Sequence, residues 1–190
     1  MVDGLLNSRQ GEMLLRLARE TLEQQFRKEN IPLAPDEPAL SIKAAAFVTL
    51  KIEGKLRGCI GNLEPVGALW QGVRDNVINA AFNDHRFSPL TPEELPAVKL
   101  DISVLSQPKP LEYNGAEDLH KKLRPGIDGV ILRDGHRGAT FLPQVWHQLP
   151  STEQFLGHLC LKAGLPQESW RQKELEIQTY QVQCFEEEKR

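Results

Sequence analysis

The stretch Phe47-Val48-Thr49-Leu50-Lys51-Ile52-Glu53-Gly54-Lys55-Leu56-Arg57-Gly58-Cys59-Ile60-Gly61 decides how the chain folds. Its first six residues alternate apolar and polar with many β-formers, and Leu56–Gly61 reads as the returning strand, with Glu53-Gly54 at the turn. Parity constrains that turn. A two-residue loop would set Lys55 beside Ile52 and Arg57 beside Leu50, mixing charge into the apolar face. A three-residue loop with Gly54 left-handed puts Val48 and Leu50 on the face of Leu56 and Ile60, and Arg57 and Cys59 with Thr49 and Lys51 opposite. The second register is the expected one.

Helices flank this hairpin. Upstream, Asn7 or Ser8 can cap a helix over 8–29, in which Leu14, Leu17, Ala18, Leu22 and Phe26 recur at helical spacing. Pro32, Pro35 and Pro38 then make a stiff connector. Downstream, Leu69, Val73, Val77 and Ala80 place a helix over about 68–82, ending at the charged corner Asn83-Asp84-His85-Arg86-Phe87. Thr91-Pro92-Glu93-Glu94 reads as a capped single turn. Val98, Leu100, Ile102 and Val104 alternate with polar residues, which predicts a strand with one buried face.

The remainder gives a short helix at 116–123, a second hairpin over 130–142, a helix from Ser151 to Gly164, and a final strand over 175–185. That last strand carries a bulge where its apolar parity changes between Ile177 and Tyr180. Hairpins and helices in irregular order indicate an α+β fold with a mixed or antiparallel sheet and flanking helices. One domain over 1–190 is expected, the first helix and last strand packing on its main lobe.

Composition narrows the function. A net charge of −3 with scattered basic residues gives no reason to bind nucleic acid. No apolar run approaches the roughly 20 residues that span a bilayer, and the first residues lack the pattern of a secretion signal. Cys59, Cys160 and Cys184 form neither a disulfide framework nor a zinc site, so a reducing cytoplasm is the expected location. His120, His136, His147 and His158 lack metal-ligand spacing, and no metal is expected. The acidic run Glu186-Glu187-Glu188 reads as a solvated tail.

The chemistry concentrates at Arg57 and Cys59. Residues two apart on a strand point the same way, so a guanidinium can lie near the sulfur or over the same ligand. Gly58 and Gly61 would let a ligand, or another backbone, come close. Asn62 and Glu64 follow and could supply polar contacts or a general base. A structural reading stands beside this one: cysteine is a common small core filler, and strand glycines often mark a bulge or tight packing. Asp128 between glycines fits an Asx turn. Gln144 and Trp146 could line a cleft, with Trp146 equally suited to a core.

The hexapeptide Leu56-Arg57-Gly58-Cys59-Ile60-Gly61 resembles the signature of the AMMECR domain family, known in bacteria as the A protein of the AmmeMemoRadiSam system. Arg86-Phe87-Ser88-Pro89-Leu90, Pro125-Gly126-Ile127-Asp128-Gly129-Val130 and Thr140-Phe141-Leu142-Pro143-Gln144-Val145-Trp146 extend the resemblance over roughly 10–185. It implies a two-lobed α+β fold and two bacterial gene neighbours, a Memo-type protein and a radical S-adenosylmethionine enzyme, which are the candidate partners. It implies no particular reaction or cofactor, and it draws Arg86 into the candidate site. The family usually carries Pro where this chain has His85, so a histidine base there is not expected. Two functions follow. In one the chain is an enzyme or enzyme subunit, with Cys59 as nucleophile or redox thiol and Arg57 holding a small anionic substrate. In the other it is a non-catalytic module presenting the same surface to a partner.

Overall fold

The computed structural model describes residues 6–30 and 34–188; residues 1–5, 31–33 (with Pro32 of the expected connector) and 189–190 lie outside them. In chain order the elements are α1 (Ser8–Arg27), β1 (Ala45–Ile52), β2 (Lys55–Gly61), α2 (Leu69–Phe82), β3 (Val98–Leu105), β4 (Lys109–Pro110), α3 (Gly115–Lys122), β5 (Gly129–Asp134), β6 (Arg137–Phe141), α4 (Thr152–Lys162), α5 (Ser169–Gln172), β7 (Glu176–Tyr180) and β8 (Val182–Glu186). The fold is α+β, as the order of hairpins and helices indicates. Two compact units divide the chain. One comprises the described residues up to Leu105 and from Gln183 onward, the other Ser106–Val182.

In the first unit the sheet runs β2-β1-β3-β8, with β1 antiparallel to both β2 and β3. Val48, Leu50, Leu100 and Ile102 are buried on one face and share a core with Leu14 and Leu22 of α1 and Leu69, Val73 and Val77 of α2. Each such side chain contributes roughly 1.5–3 kcal/mol by leaving water. Helix α1 starts at a capping box in which Asn7 Oδ1 accepts the Gln10 N–H at 2.9 Å and Gln10 Oε1 accepts the Asn7 N–H at 2.9 Å.

The β1–β2 turn departs from the expected register. Ile52 pairs with Lys55, so the loop is Glu53-Gly54 alone, and both residues are left-handed, φ 52° and 76°. That is the geometry of a two-residue hairpin turn whose twist matches its strands. The feared clash of charge and core is avoided further along. Lys51 pairs with Leu56 and Leu50 with Gly58, leaving Arg57 as the extra residue of a β-bulge. The bulge restores parity: Val48 faces Ile60, and Thr49 faces Cys59. Leu56 is thereby put on the Thr49 side, 44% exposed, and not in the core.

The C-terminal residues correct two further expectations. The strand expected over 175–185 is two strands, β7 in one sheet and β8 in the other. Glu187 is not solvated. Its carboxylate takes Arg19 Nε at 3.0 Å and the Leu100 N–H at 3.0 Å and closes on Arg19 Nη2, while its own N–H reaches the Leu100 carbonyl at 3.0 Å. The buried Arg19 also donates to the Val98 carbonyl at 2.7 Å. Burying this cation is tolerable because its partner is charged and each of its three nitrogens finds an acceptor, Nη1 on the Leu95 carbonyl at 3.3 Å.

In the second unit the sheet runs β4-β7-β5-β6. Its core gathers Leu119, Val130, Leu132, Phe155, Leu156, Leu159 and Ile177. Trp146 is a core residue, stacked on Phe155 with ring centroids 3.7 Å apart, and its Nε1 donates to the Asp128 carbonyl at 2.7 Å. Asp128 is buried and holds the loop before β5 through the Arg124 N–H and guanidinium, at 2.6–3.1 Å.

Candidate functional site

Strand β2 is an edge, and edge strands leave one row of N–H and C=O groups without a ladder partner. At Cys59 that row is satisfied by the corner after α2. Asp84 Oδ2 accepts the Cys59 N–H at 2.9 Å, and Arg86 Nη2 donates to the Cys59 carbonyl at 3.2 Å. The two side chains are joined to each other, Arg86 Nε to Asp84 Oδ1 at 2.9 Å and Nη2 to Oδ2 at 2.6 Å. Asp84 is 4% exposed. Its carboxyl is held far below the usual carboxylate range, first by the Arg86 guanidinium and then by the N–H groups of Cys59 and Arg86.

Arg57 is engaged just as closely. Its Nε and Nη2 grip Glu94 Oε1 and Oε2 at 2.8 and 2.9 Å, a fork-to-fork pair. Nη1 donates to the Ser88 carbonyl at 3.0 Å. Glu94 also caps its own turn by accepting the Thr91 N–H at 2.9 Å, and its pKa is lowered chiefly by Arg57. Leu90 closes the loop, buried, with its N–H on the Ala81 carbonyl at 2.8 Å. The segments 56–61 and 86–90 are therefore one structural unit, with the ring of Phe87 near both guanidinium groups.

The glycines belong to packing. A Cβ on Gly58 would stand 2.1 Å from the Ala80 carbonyl oxygen of α2, so this glycine lets the helix backbone lie on the strand. A Cβ on Gly61 would meet the Phe47 ring at 2.3 Å and the Ala46 carbonyl oxygen at 2.5 Å. Neither position opens space for a ligand.

What remains chemically available is the Cys59 thiol. It is half-buried on the Thr49 side of the sheet, and Thr49 Oγ1 donates to its sulfur at 3.3 Å. Because the outward backbone groups of Cys59 face Asp84 and Arg86, Thr49 and Cys59 form a non-hydrogen-bonded pair, the arrangement that brings side chains closest. Asp101, opposite Thr49 on β3, pairs with Lys51. The half-exposed Arg86 guanidinium is close enough for the Cys59 sulfur to contribute to its raised pKa, after Asp84.

The structure thus divides the residues expected to share a site. Arg57, Gly58, Cys59 and Arg86 meet in one network. Asn62 and Glu64 line a separate cleft of about 410 Å³ against the start of α2. Gln144 lies exposed in a short 3-10 turn of the second unit. Asp84 and Glu94 join the site although the sequence places them only in a charged corner and a capped turn; their signals are Asp84 two residues before the motif arginine and Glu94 at the fourth place of a capping pattern. Among the described residues no group of three or more His, Cys, Asp or Glu is placed to hold a metal ion, and no helix is long and apolar enough to cross a membrane.

The AMMECR1 family profile matches residues 15–185. A protein from Thermofilum pendens is 36% identical over 199 residues, covering 96% of this chain and 92% of that protein. Protein MK0488 from Methanopyrus kandleri is 38% identical over 192 residues, covering 96% and 91%. The crystal structure of the uncharacterized protein PH0010 from Pyrococcus horikoshii superposes with a TM-score of 0.82 at 32% identity, over 96% of this chain and 94% of that one.

Proposed function

Since the chain belongs to the AMMECR1 family, whose signature strand is the one locked by two ion pairs, we propose that it is an enzyme or enzyme subunit acting through the Cys59 thiol on a small anionic substrate. One observation carries the reading. The Cys59 main chain is held on its outer side by Asp84 and Arg86, while its sulfur stays half-buried beside the Thr49 hydroxyl. A side chain whose backbone is fixed by buried charge is preorganised, which is what a reacting group requires. Both arginines are paired with a carboxylate, and exposure separates them: the Arg57 side chain is 13% exposed, whereas that of Arg86 is 47% exposed and lies at Cys59, so Arg86 takes the part of the substrate's cation.

Charge selectivity of alkylation tests this. The rate ratio of iodoacetate to iodoacetamide at Cys59 is measured in native protein and in the unfolded chain. A native ratio several-fold above the unfolded one is expected, because the guanidinium draws the anionic reagent. An unchanged or lower ratio overturns the anionic-substrate reading.

A second reading rests on the closed Arg57–Glu94 fork. The cation the sequence offered for substrate stabilises the fold instead, which suits a module that presents a rigid polar surface to a Memo-type protein or a radical S-adenosylmethionine enzyme. Under that reading Cys59→Ala leaves complex formation intact, whereas under the first it abolishes turnover.

A further inference from the structure

The cleft at the far end of β2 lies outside the Cys59 network. Its floor is Ala44, Ala45 and Ala46, and one wall is the face of α2 carrying Gly72, Asp75, Asn76 and Asn79; Asn62 and Glu64 line it too. At about 410 Å³ it has the volume of a small-molecule site. Small residues make the room: alanines form the floor, and a Cβ built on Gly72 would meet nothing within 4 Å.

The polar groups around it are fixed in a definite sense. Asn76 is 5% exposed, a buried carboxamide on a helix otherwise packed with aliphatic residues. Its Nδ2 donates to the Ala46 carbonyl at 3.0 Å, which also receives the Asn62 N–H at 3.2 Å. Gln71 Oε1 accepts the Ala68 N–H at 3.2 Å, which turns its amino group outward as a donor. Asn79 Oδ1 accepts from Asn83 Nδ2 at 2.8 Å, with the same result. Each carboxamide carries both donor and acceptor, and the internal bond made by one end decides which end is offered. Carboxylates of Glu64 and Asp75 add acceptors to the lining. The lining guanidinium, Arg74, has its Nε on Asp75 at 3.0 Å and lies over the Trp70 ring.

We propose that this cleft binds a small uncharged molecule through an amide edge, a carbonyl oxygen next to an N–H. The amino group of Asn79 donates to the carbonyl, and the carboxylate of Asp75, one turn away on the same wall of α2, accepts the N–H; Gln71, about 12 Å from Asn79 along the helix, offers its donor at the other end of the cleft. A free anion finds carboxylates here and a guanidinium already paired. Both peptide main chains and nucleobases present such an edge, so the experiment separates these sources.

Ligand-detected saturation-transfer NMR on the full chain is run with N-acetyl amino-acid amides in one arm, neutral nucleosides in a second, and acetate and inorganic phosphate in a third. Saturable binding is expected in one of the first two arms and none in the third. Gly72→Leu, which fills open space and suits a helix, should weaken that binding at least tenfold, as should Asn79→Leu. Thermal melts confirm that both variants fold, and Cys59 alkylation should be unchanged in them, which separates this site from the thiol. No saturable binding in either amide arm, preferential binding of the anions, or binding indifferent to Gly72→Leu overturns the proposal.

Discussion

Arg57 and Glu94 meet fork to fork, with two nitrogen–oxygen distances of 2.8 and 2.9 Å, across the bulge that sets the parity of β2. The pair has a structural consequence before it has a functional one. Arg57 is the extra residue of the bulge, so its side chain leaves the strand where no ladder partner opposes it. Glu94 and the loop carbonyls receive it there. Loss of either side chain leaves the other partly buried without its partner. Arg57→Ala and Glu94→Ala are each expected to cost about 1.5–3 kcal/mol in denaturant melts, with strong coupling in a double-mutant cycle. Additive effects would show that the pair does not hold the bulge.

Acid should dissolve the same network. Asp84 and Glu94 both have folded pKa values below their unfolded ones, lowered chiefly by Arg86 and Arg57. A depressed carboxyl contributes stability above its unfolded pKa, about 3.9–4.3, and loses it as pH falls through the folded value. The stability gap between wild type and Asp84→Asn should therefore be constant from about pH 5 to 8 and shrink below about pH 4. A gap independent of pH would mean the charge of Asp84 contributes nothing.

Gly58→Ala is expected to destabilise by about 3 kcal/mol or more, because its Cβ would stand 2.1 Å from the Ala80 carbonyl oxygen and the α2 backbone cannot yield cheaply. Urea melts of Gly58→Ala beside Gly72→Ala, which meets nothing, isolate that contact from any general effect of glycine loss.

Much of this was legible beforehand. Both hairpins, α1, α2, α4 and β3 follow from apolar period and caps, because each buries one face. The β1–β2 register did not, because two devices cancel: a two-residue turn shifts parity by one and the bulge at Arg57 shifts it back. Net parity reads the same for Cys59 and is wrong only for Leu56. At the site the residue types were visible and their partners were not. Arg57 beside Cys59 in sequence suggests a shared ligand, yet the arginine's partner is 37 residues away at Glu94. Pairings of that range are set by tertiary packing, as is the use of Glu187, which looked like tail and reaches Arg19 across 168 residues.

Glu53 offers a stabilising change. It occupies a left-handed position at φ 52°, which asparagine and glycine adopt more readily. Glu53→Asn creates the sequence Asn-Gly that this turn type favours and should raise stability by about 0.5–1 kcal/mol. A loss of stability would show that the Glu53 side chain has a role beyond the turn.

The most direct measurement is native-state alkylation of the three cysteines, mapped by mass spectrometry over time. Cys160 is fully buried in the core of the second unit, with a pKa raised by burial, so its labelling requires that unit to unfold and serves as an internal clock for unfolding-limited labelling. Cys59 is expected to label well ahead of that clock, through the folded protein, and to do so faster with iodoacetate than its own unfolded-state ratio allows. Labelling of Cys59 only in step with Cys160 would make its thiol a closed part of the fold and contradict the assignment of chemistry to it.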